Sequence, residues 1–200
     1  MAESATTRSA ALALADERAL MRQGYQFLDE KRMLLAAEML RTLATHQALE
    51  QQLHEGMRRA RQTLRQALLR HGLEGLQAYP PATPPPAAPT LTRSHLLGVP
   101  LVATVLEAHG KSDDAAALDA SPEALACAED FAALLGPLAA LAASAANLER
   151  LGAEYQRTQR RARALENVLL PEVEASLKTI EEHLERADQE DALRVRTARK

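Results

Sequence analysis

The sequence predicts an all-α chain, a long antiparallel coiled-coil hairpin of N- and C-terminal helices. A small irregular knob lies between them, and a short β-hairpin is one option within it. Three observations carry this. Apolar residues are 46% of the chain but aromatics only 2%, with no Trp, so the apolar weight rests on Ala and Leu. Large aromatics supply much of the buried area of a compact core, whereas an Ala, Leu, Glu and Arg mix suits long helices. No proline occurs from Thr7 to Arg70, and apolar residues recur at helical spacing toward both ends.

The first segment, 7–70, repeats Leu14, Met21, Leu28 and Leu35 every seven residues. Further on, Leu53, Met57, Ala60, Leu64 and Leu68 fall at three- and four-residue steps. Both patterns mark one face of a helix. The second seam position of the early heptads is weak, being Ala11, Arg18, Tyr25, Arg32 and Met39, so the coiled coil is irregular and not a leucine zipper. A helix of this length would extend roughly 95 Å.

The middle segment, 71–120, opens on the stop signals His71-Gly72 and Gly75. Tyr79-Pro80-Pro81 through Pro84-Pro85-Pro86, with Pro89 beyond, cannot be helix interior, because proline lacks the amide and clashes with the preceding turn. It reads as extended, polyproline-like chain and as the first site for a protease. Leu96 to Leu106 is β-branched enough for a short strand, with a short helix after Pro100 as the alternative. Lys111-Ser112-Asp113-Asp114 reads as a polar loop.

The last segment, 121–198, starts on Ser121-Pro122-Glu123: a cap, a first-turn proline and an acid on the positive end of the dipole. Its stripe runs through Leu141, Ala145, Leu148, Leu151, Tyr155, Ala162, Leu165, Leu169, Val173, Leu177, Ile180, Leu184 and Ala187. Pro171 falls inside it and should bend the helix near Val168. Neither terminal helix can bury its stripe alone. Pairing within the chain is the simpler outcome, with residues near Leu28 facing Leu177 or Ile180; self-association in a homo-oligomer is the alternative.

Several function classes are disfavoured. The net charge of −3 gives no electrostatic case for nucleic acid. Cys127 is the single cysteine, which fits a reducing cytosol. The start carries no apolar core of signal-peptide type. The most apolar stretch, Phe131 to Ala146, is interrupted by Gly136-Pro137 and reads as a buried seam too short for a membrane span. There is no glycine-rich phosphate loop, Cys-x-x-Cys or His-Glu-x-x-His, so no catalytic, cofactor or metal residue is nominated. His46 and His54 are the only histidines at a helical spacing, and a solvent-facing role suits them better than zinc.

One charged cluster stands out: Arg157, Arg160, Arg161 and Arg163, with Arg150 just before. They cover more than one helix face. They are either a solvated face whose stems shield the seam or a positive collar for an acidic or carbonyl-rich partner. A second basic group, Arg194, Arg196, Arg199 and Lys200, closes the chain and also suits the negative end of a helix dipole.

The run Gln159-Arg160-Arg161-Ala162-Arg163-Ala164-Leu165-Glu166-Asn167-Val168-Leu169-Leu170-Pro171 closely resembles the signature of the D subunit of V/A-type rotary ATPases. In that family a pair of arginines precedes an Ala-Leu-Glu-Asn core, an aliphatic pair and a proline; Arg163 stands where Asn is usual. Gln23-Gly24-Tyr25-Gln26-Phe27 through Lys31-Arg32 resembles the family's N-terminal helix, and Leu97-Gly98-Val99-Pro100 its Gly-Val-x-Pro element. The order and spacing agree across nearly the whole chain.

The resemblance implies a function. The chain would be the non-catalytic central-stalk shaft of a V/A-type ATPase. It would transmit torque between the ring of A and B subunits, where ATP is made or hydrolysed, and the membrane rotor that moves protons or sodium. Its partners would be the A and B subunits, the F subunit, and the funnel-shaped C or d subunit that sits on the rotor. The location would be cytoplasmic and peripheral to the membrane, without insertion. Arg157, Arg160, Arg161, Arg163, Glu166 and Asn167 would face the ring bore, and Gly24, Tyr25, Gly98, Pro100, Leu165 and Pro171 would be structural. A sliding shaft should lack large aromatic anchors, and this sequence has almost none. A cytosolic coiled-coil scaffold or tether is the competing reading; it would account for the helices but not for the ordered motifs.

Overall fold

A computed structural model describes residues 7–77, 79, 89–106 and 121–198. The elements in order are α1 (Arg8–Gln77), β1 (Thr90–Leu96), β2 (Val99–Val105), α2 (Pro122–Ala133), α3 (Leu135–Ala164), a π-turn (Leu165–Leu169) and α4 (Leu170–Ala198). The chain is therefore overwhelmingly helical, with a long helix toward each end and a two-stranded antiparallel hairpin between them. Two compact units are distinguished: residues 1–36 with 154–200, and residues 37–153. The polyproline expectation for Pro80–Pro86 and the loop expectation for Lys111–Asp114 lie outside the described residues, as do Arg199 and Lys200.

In the first unit α1 starts on Thr7, whose Oγ1 accepts the Ala10 amide at 3.2 Å and supplies one of the partners that a helix start lacks. The α1 face that turns inward is Ala11, Leu14, Arg18, Met21, Tyr25, Leu28, Arg32 and Leu35, and Leu35 is fully buried. The weak seam positions are thus true seam positions. Arg18, Tyr25 and Arg32 lay their apolar stems along the seam and keep polar tips near solvent. Facing them are Thr158, Ala162, Val173, Leu177 and Ile180, all buried.

Ion pairs fix this packing as antiparallel. Arg8 binds both oxygens of Asp188 at 2.9 Å, Arg22 binds Glu174 at 2.7 Å and Lys31 binds Glu154 at 2.6 Å. Leu28 lies between Gly24, which meets Leu165, and Lys31, which meets Glu154. Its opposite stretch is therefore 154–165, and the expectation of Leu177 or Ile180 is corrected. Those two lie between Glu174 and Asp188, opposite the stretch from Arg8 to Arg22.

The π-turn corrects a second expectation. The Leu170 amide bonds the Leu165 carbonyl, five residues back. That wider turn brings Leu170 inward, half-buried, and leaves Leu169 40% exposed, so Leu170 and not Leu169 continues the stripe. Pro171 lies just beyond, with no amide to give and a ring that would press on the Asn167 carbonyl in a regular turn. The helix meets this with a wider turn and runs on to Ala198.

In the second unit the α1 seam continues through Leu53, Gly56, Ala60 and Ala67, all buried, while Met57 is exposed. Gly56 replaces Met57 on the expected face because the approach is close: a Cβ there would lie 2.6 Å from Leu134 Cδ2. Small seam residues allow such approach. Gly72 interrupts α1 with φ 67° and ψ 175°, at the expected stop signal, and helical turns resume to Gln77. The Ser121 hydroxyl caps α2 by accepting the Ala124 amide at 3.2 Å. It also lies 2.6 Å from His71 Nε2, and Arg70 forks onto Glu123, at 2.7 Å to one oxygen. A single residue, Leu134, separates α2 from α3; Pro137 would clash with the Ala133 carbonyl if the helix ran straight through.

The hairpin turns on Leu97 (φ 51°) and Gly98 (φ 86°), both left-handed, which is the two-residue form that matches strand twist. Its register pairs Leu96 with Val99 and Thr90 with Val105. The strand expected over Leu96–Leu106 covers β2, and β1 before it completes the short β-hairpin offered as an option for the knob.

The helix segment from Pro122 to Ala198 holds an 18-residue window of mean hydropathy 1.7, so by length and composition it is apolar enough to cross a membrane. The expectation that its apolar stretch is too short is corrected. In the fold the stretch from Phe131 to Ala146 is half-exposed or exposed apart from Ser144, so the expectation of a buried seam is corrected as well. Ser144 is buried and bonded to His46, and Asn147 is bonded to β2.

Candidate coupling surface around the π-turn

Gly24 and Tyr25 sit on α1 directly against the π-turn. A Cβ on Gly24 would lie 3.9 Å from Leu165 Cδ1, an ordinary contact, so Leu165 rests over the glycine. The neighbouring Glu166 carboxylate raises the Tyr25 pKa above its usual value, chiefly through its charge and also by a hydrogen bond to the phenol, with partial burial and Asp29 adding to it. Four sequence-nominated residues are thus brought together: Gly24, Tyr25, Leu165 and Glu166. Pro171 lies two residues beyond the end of the same turn.

The arginines occupy the outer side of α3. Arg157, Arg160, Arg161 and Arg163 are exposed, and so are Glu166 and Asn167, whereas Thr158 and Ala162 between them are buried. Arg157 approaches Glu154 at 3.6 Å. Glu154 is shared: Lys31 holds its carboxyl below the usual range, and Arg157 and Arg161 add to that field. Among the described residues Arg160 and Arg163 pair with no carboxylate. The few aromatics include two exposed phenylalanines, Phe27 and Phe131. Phe27 lies on an outer ridge of α1 with Leu20 and Leu34, each one heptad apart.

Gly98 and Pro100 lie in the other unit, at the hairpin. The Val102 amide points away from β1 and donates to Asn147 Oδ1 at 2.9 Å, while Asn147 Nδ2 donates to the Val102 carbonyl at 2.8 Å. Pro100, two residues earlier, faces the same way, so its missing amide costs no ladder bond. Asn147 is a site residue that the motifs do not nominate. A signal for it exists: it is the lone amide in the apolar run from Phe131 to Leu148.

His46 Nδ1 lies 2.8 Å from Ser144 Oγ, and that hydroxyl donates to the Leu141 carbonyl at 2.8 Å. His54 Nδ1 lies 2.9 Å from the Glu50 carbonyl. Among the described residues no group of three or more His, Cys, Asp or Glu is placed to hold a metal.

The family model for the ATP synthase D subunit matches residues 10–200. The chain belongs to the family of ATP synthase D subunits. It is 34% identical to the V-type ATP synthase D subunit of Anaeromyxobacter dehalogenans (strain 2CP-C), over 100% of this chain and 97% of that protein. It is 30% identical to the second V-type ATP synthase D subunit of Treponema pallidum, over 93% of this chain and 89% of that protein. It is 29% identical to the A-type ATP synthase D subunit of Thermococcus gammatolerans, over 95% and 90%. This member of the D-type family is accordingly a component of a V/A-type ATP synthase complex, and its paired helices fit the coiled-coil character read from its heptads.

Proposed function

We propose that this chain is the non-catalytic central-stalk shaft of a V/A-type ATPase, carrying torque between the nucleotide-handling ring of A and B subunits and the ion-translocating membrane rotor. The observation that carries the reading is the construction of the first unit. Two antiparallel helices satisfy their own backbone bonds, cross-brace through Arg8–Asp188, Arg22–Glu174 and Lys31–Glu154, and turn a cationic face outward. A body braced in this way resists bending and twisting without a globular core.

In this reading Arg157, Arg160, Arg161 and Arg163, with Glu166 and Asn167, face the bore of the ring. Exposed charge pairs contribute only about 0.2–1 kcal/mol each, which suits a contact that must slide. The F subunit and the funnel-shaped C or d subunit would be the remaining partners. The chain would work in the cytoplasm, attached to the membrane through the complex, and would hold no cofactor of its own.

The test is assembly with salt as the probe, since salt screens exposed charge over about 10 Å at 0.1 M. The chain should co-purify with A and B subunits. Changing all four arginines to Gln should weaken that association and flatten its salt dependence, with helix content kept. Association with unchanged salt dependence would return the arginines to a solvated role.

A further inference from the structure

Leu169 and Leu170 are adjacent leucines, yet only Leu170 is half-buried while Leu169 is exposed. Before them the seam passes through Thr158, Ala162 and Leu165, and after them through Val173, Leu177, Ile180 and Leu184. The interval from Leu165 to Val173 is one residue longer than a heptad. A helix can absorb that excess in two ways. One π-turn gives the steps Leu165, Leu170, Val173. A regular α-helix with a local eleven-residue phase, Ala162 to Val173, gives Leu165, Leu169, Val173. Each route places a leucine on the seam and keeps the flanking apolar residues on the side toward α1, with α4 rotated between the two by one residue's turn, roughly 100°.

Three features set the balance. Pro171 favours the π-turn, because the wider turn moves the Asn167 carbonyl away from its ring. Gly24 presents no side chain to Leu165, which leaves the pivot residue room to roll. Val168 and Leu169 are exposed, so they turn without dragging buried neighbours.

We propose that Leu165–Leu169 is a two-state joint, which exchanges Leu170 for Leu169 on the seam and lets α4 twist against α3 by a fraction of a turn while both stay packed on α1. Its use rests on the shaft reading: under torque the joint would yield locally without opening the helix pair.

Two measurements test it. In full-length chain with Cys127→Ala, the Leu169→Cys thiol should react with a maleimide at least tenfold faster than the Leu170→Cys thiol. Adding Pro171→Ala removes the bias and should bring the two rates within threefold or reverse them. An unchanged ratio means that the turn has one state, and the proposal fails. The second variant deletes Val168 together with Pro171→Ala, so that Leu165, Leu170 and Val173 fall into a regular heptad. It should keep wild-type helix content and a thermal midpoint no lower than wild type. Loss of folding would overturn the phase argument. In the assembled ATPase this locked chain should still support hydrolysis, but ion pumping per ATP should fall at least threefold. Wild-type pumping would overturn the joint as a working device. If the labelling rates converge but the wild-type chain never associates with ring subunits, the shaft reading fails and the joint stands.

Discussion

Leu165 rests directly over Gly24, with its Cδ1 3.9 Å from where a Cβ on the glycine would stand. That distance is comfortable for a methyl group and closed to anything larger. At Gly56 the corresponding distance, to Leu134 Cδ2, is 2.6 Å. The two glycines should respond differently to the same change. Gly24→Ala should stabilise the chain by about 0.5–1 kcal/mol, the propensity difference within a helix. Gly56→Ala forces the Leu134 side chain to shift, so it should gain less than Gly24→Ala, and adding Leu134→Ala should narrow the difference. Thermal unfolding of the three variants checks the order.

The Lys31–Glu154 pair is the most enclosed ion pair of the first unit, with side chains only 17% and 19% exposed. Lys31 holds Glu154 below its usual pKa. The stabilisation is therefore complete above the unfolded value, about 4.3 for a glutamate, and disappears as pH falls through the lower folded value. Glu154→Gln should cost about 1 kcal/mol at pH 7 and make stability less sensitive to acid below about pH 4.5. Denaturant titrations at pH 7 and pH 3.5 supply the comparison.

Glu166 raises the Tyr25 pKa through its charge and a hydrogen bond. With Glu166→Gln the phenol should ionise at lower pH. The chain has three tyrosines, so an absorbance titration should show one ionisation move and two stay.

Asn147 holds β2 by donating to and accepting from Val102. Asn147→Ala should remove both bonds, at about 0.5–1.5 kcal/mol each, and speed hydrogen exchange at the Val102 amide. Asn147→Asp keeps the acceptor and should retain part of the protection.

How far these features are legible in the sequence depends on how much of their cause is local. The paired terminal helices are legible, because Leu14, Met21, Leu28 and Leu35 advertise a face whatever packs against it. So is the Gly72 stop, since a left-handed φ is a property of one residue. The choice between Leu169 and Leu170 is not, because both are leucine and both fit the stripe; the decision lies in the turn width beside Pro171. Hydrophobicity favours Met57 over Gly56 on the seam, but there space is decisive. The hairpin is foreseen as an option, but the bounds of β1 are not, because its seven residues are almost wholly exposed and carry no apolar alternation. Around the π-turn, motif alone singles out Gly24, Tyr25, Leu165 and Glu166, but their mutual contact is a fact of register. Heptad spacing does not fix that register, which is why Leu28 pairs near Leu165 and not near Leu177.

The most direct test of the shaft is to stop it. In a Cys127→Ala background of the assembled ATPase, Arg163→Cys would be oxidised onto a cysteine placed on the bore surface of one A or B subunit. A shaft that must turn past the ring should then be arrested. ATP hydrolysis should fall to a small residue of the uncrosslinked rate and return when the disulfide is reduced. Full hydrolysis with the chain covalently fixed to the ring would contradict the rotary role.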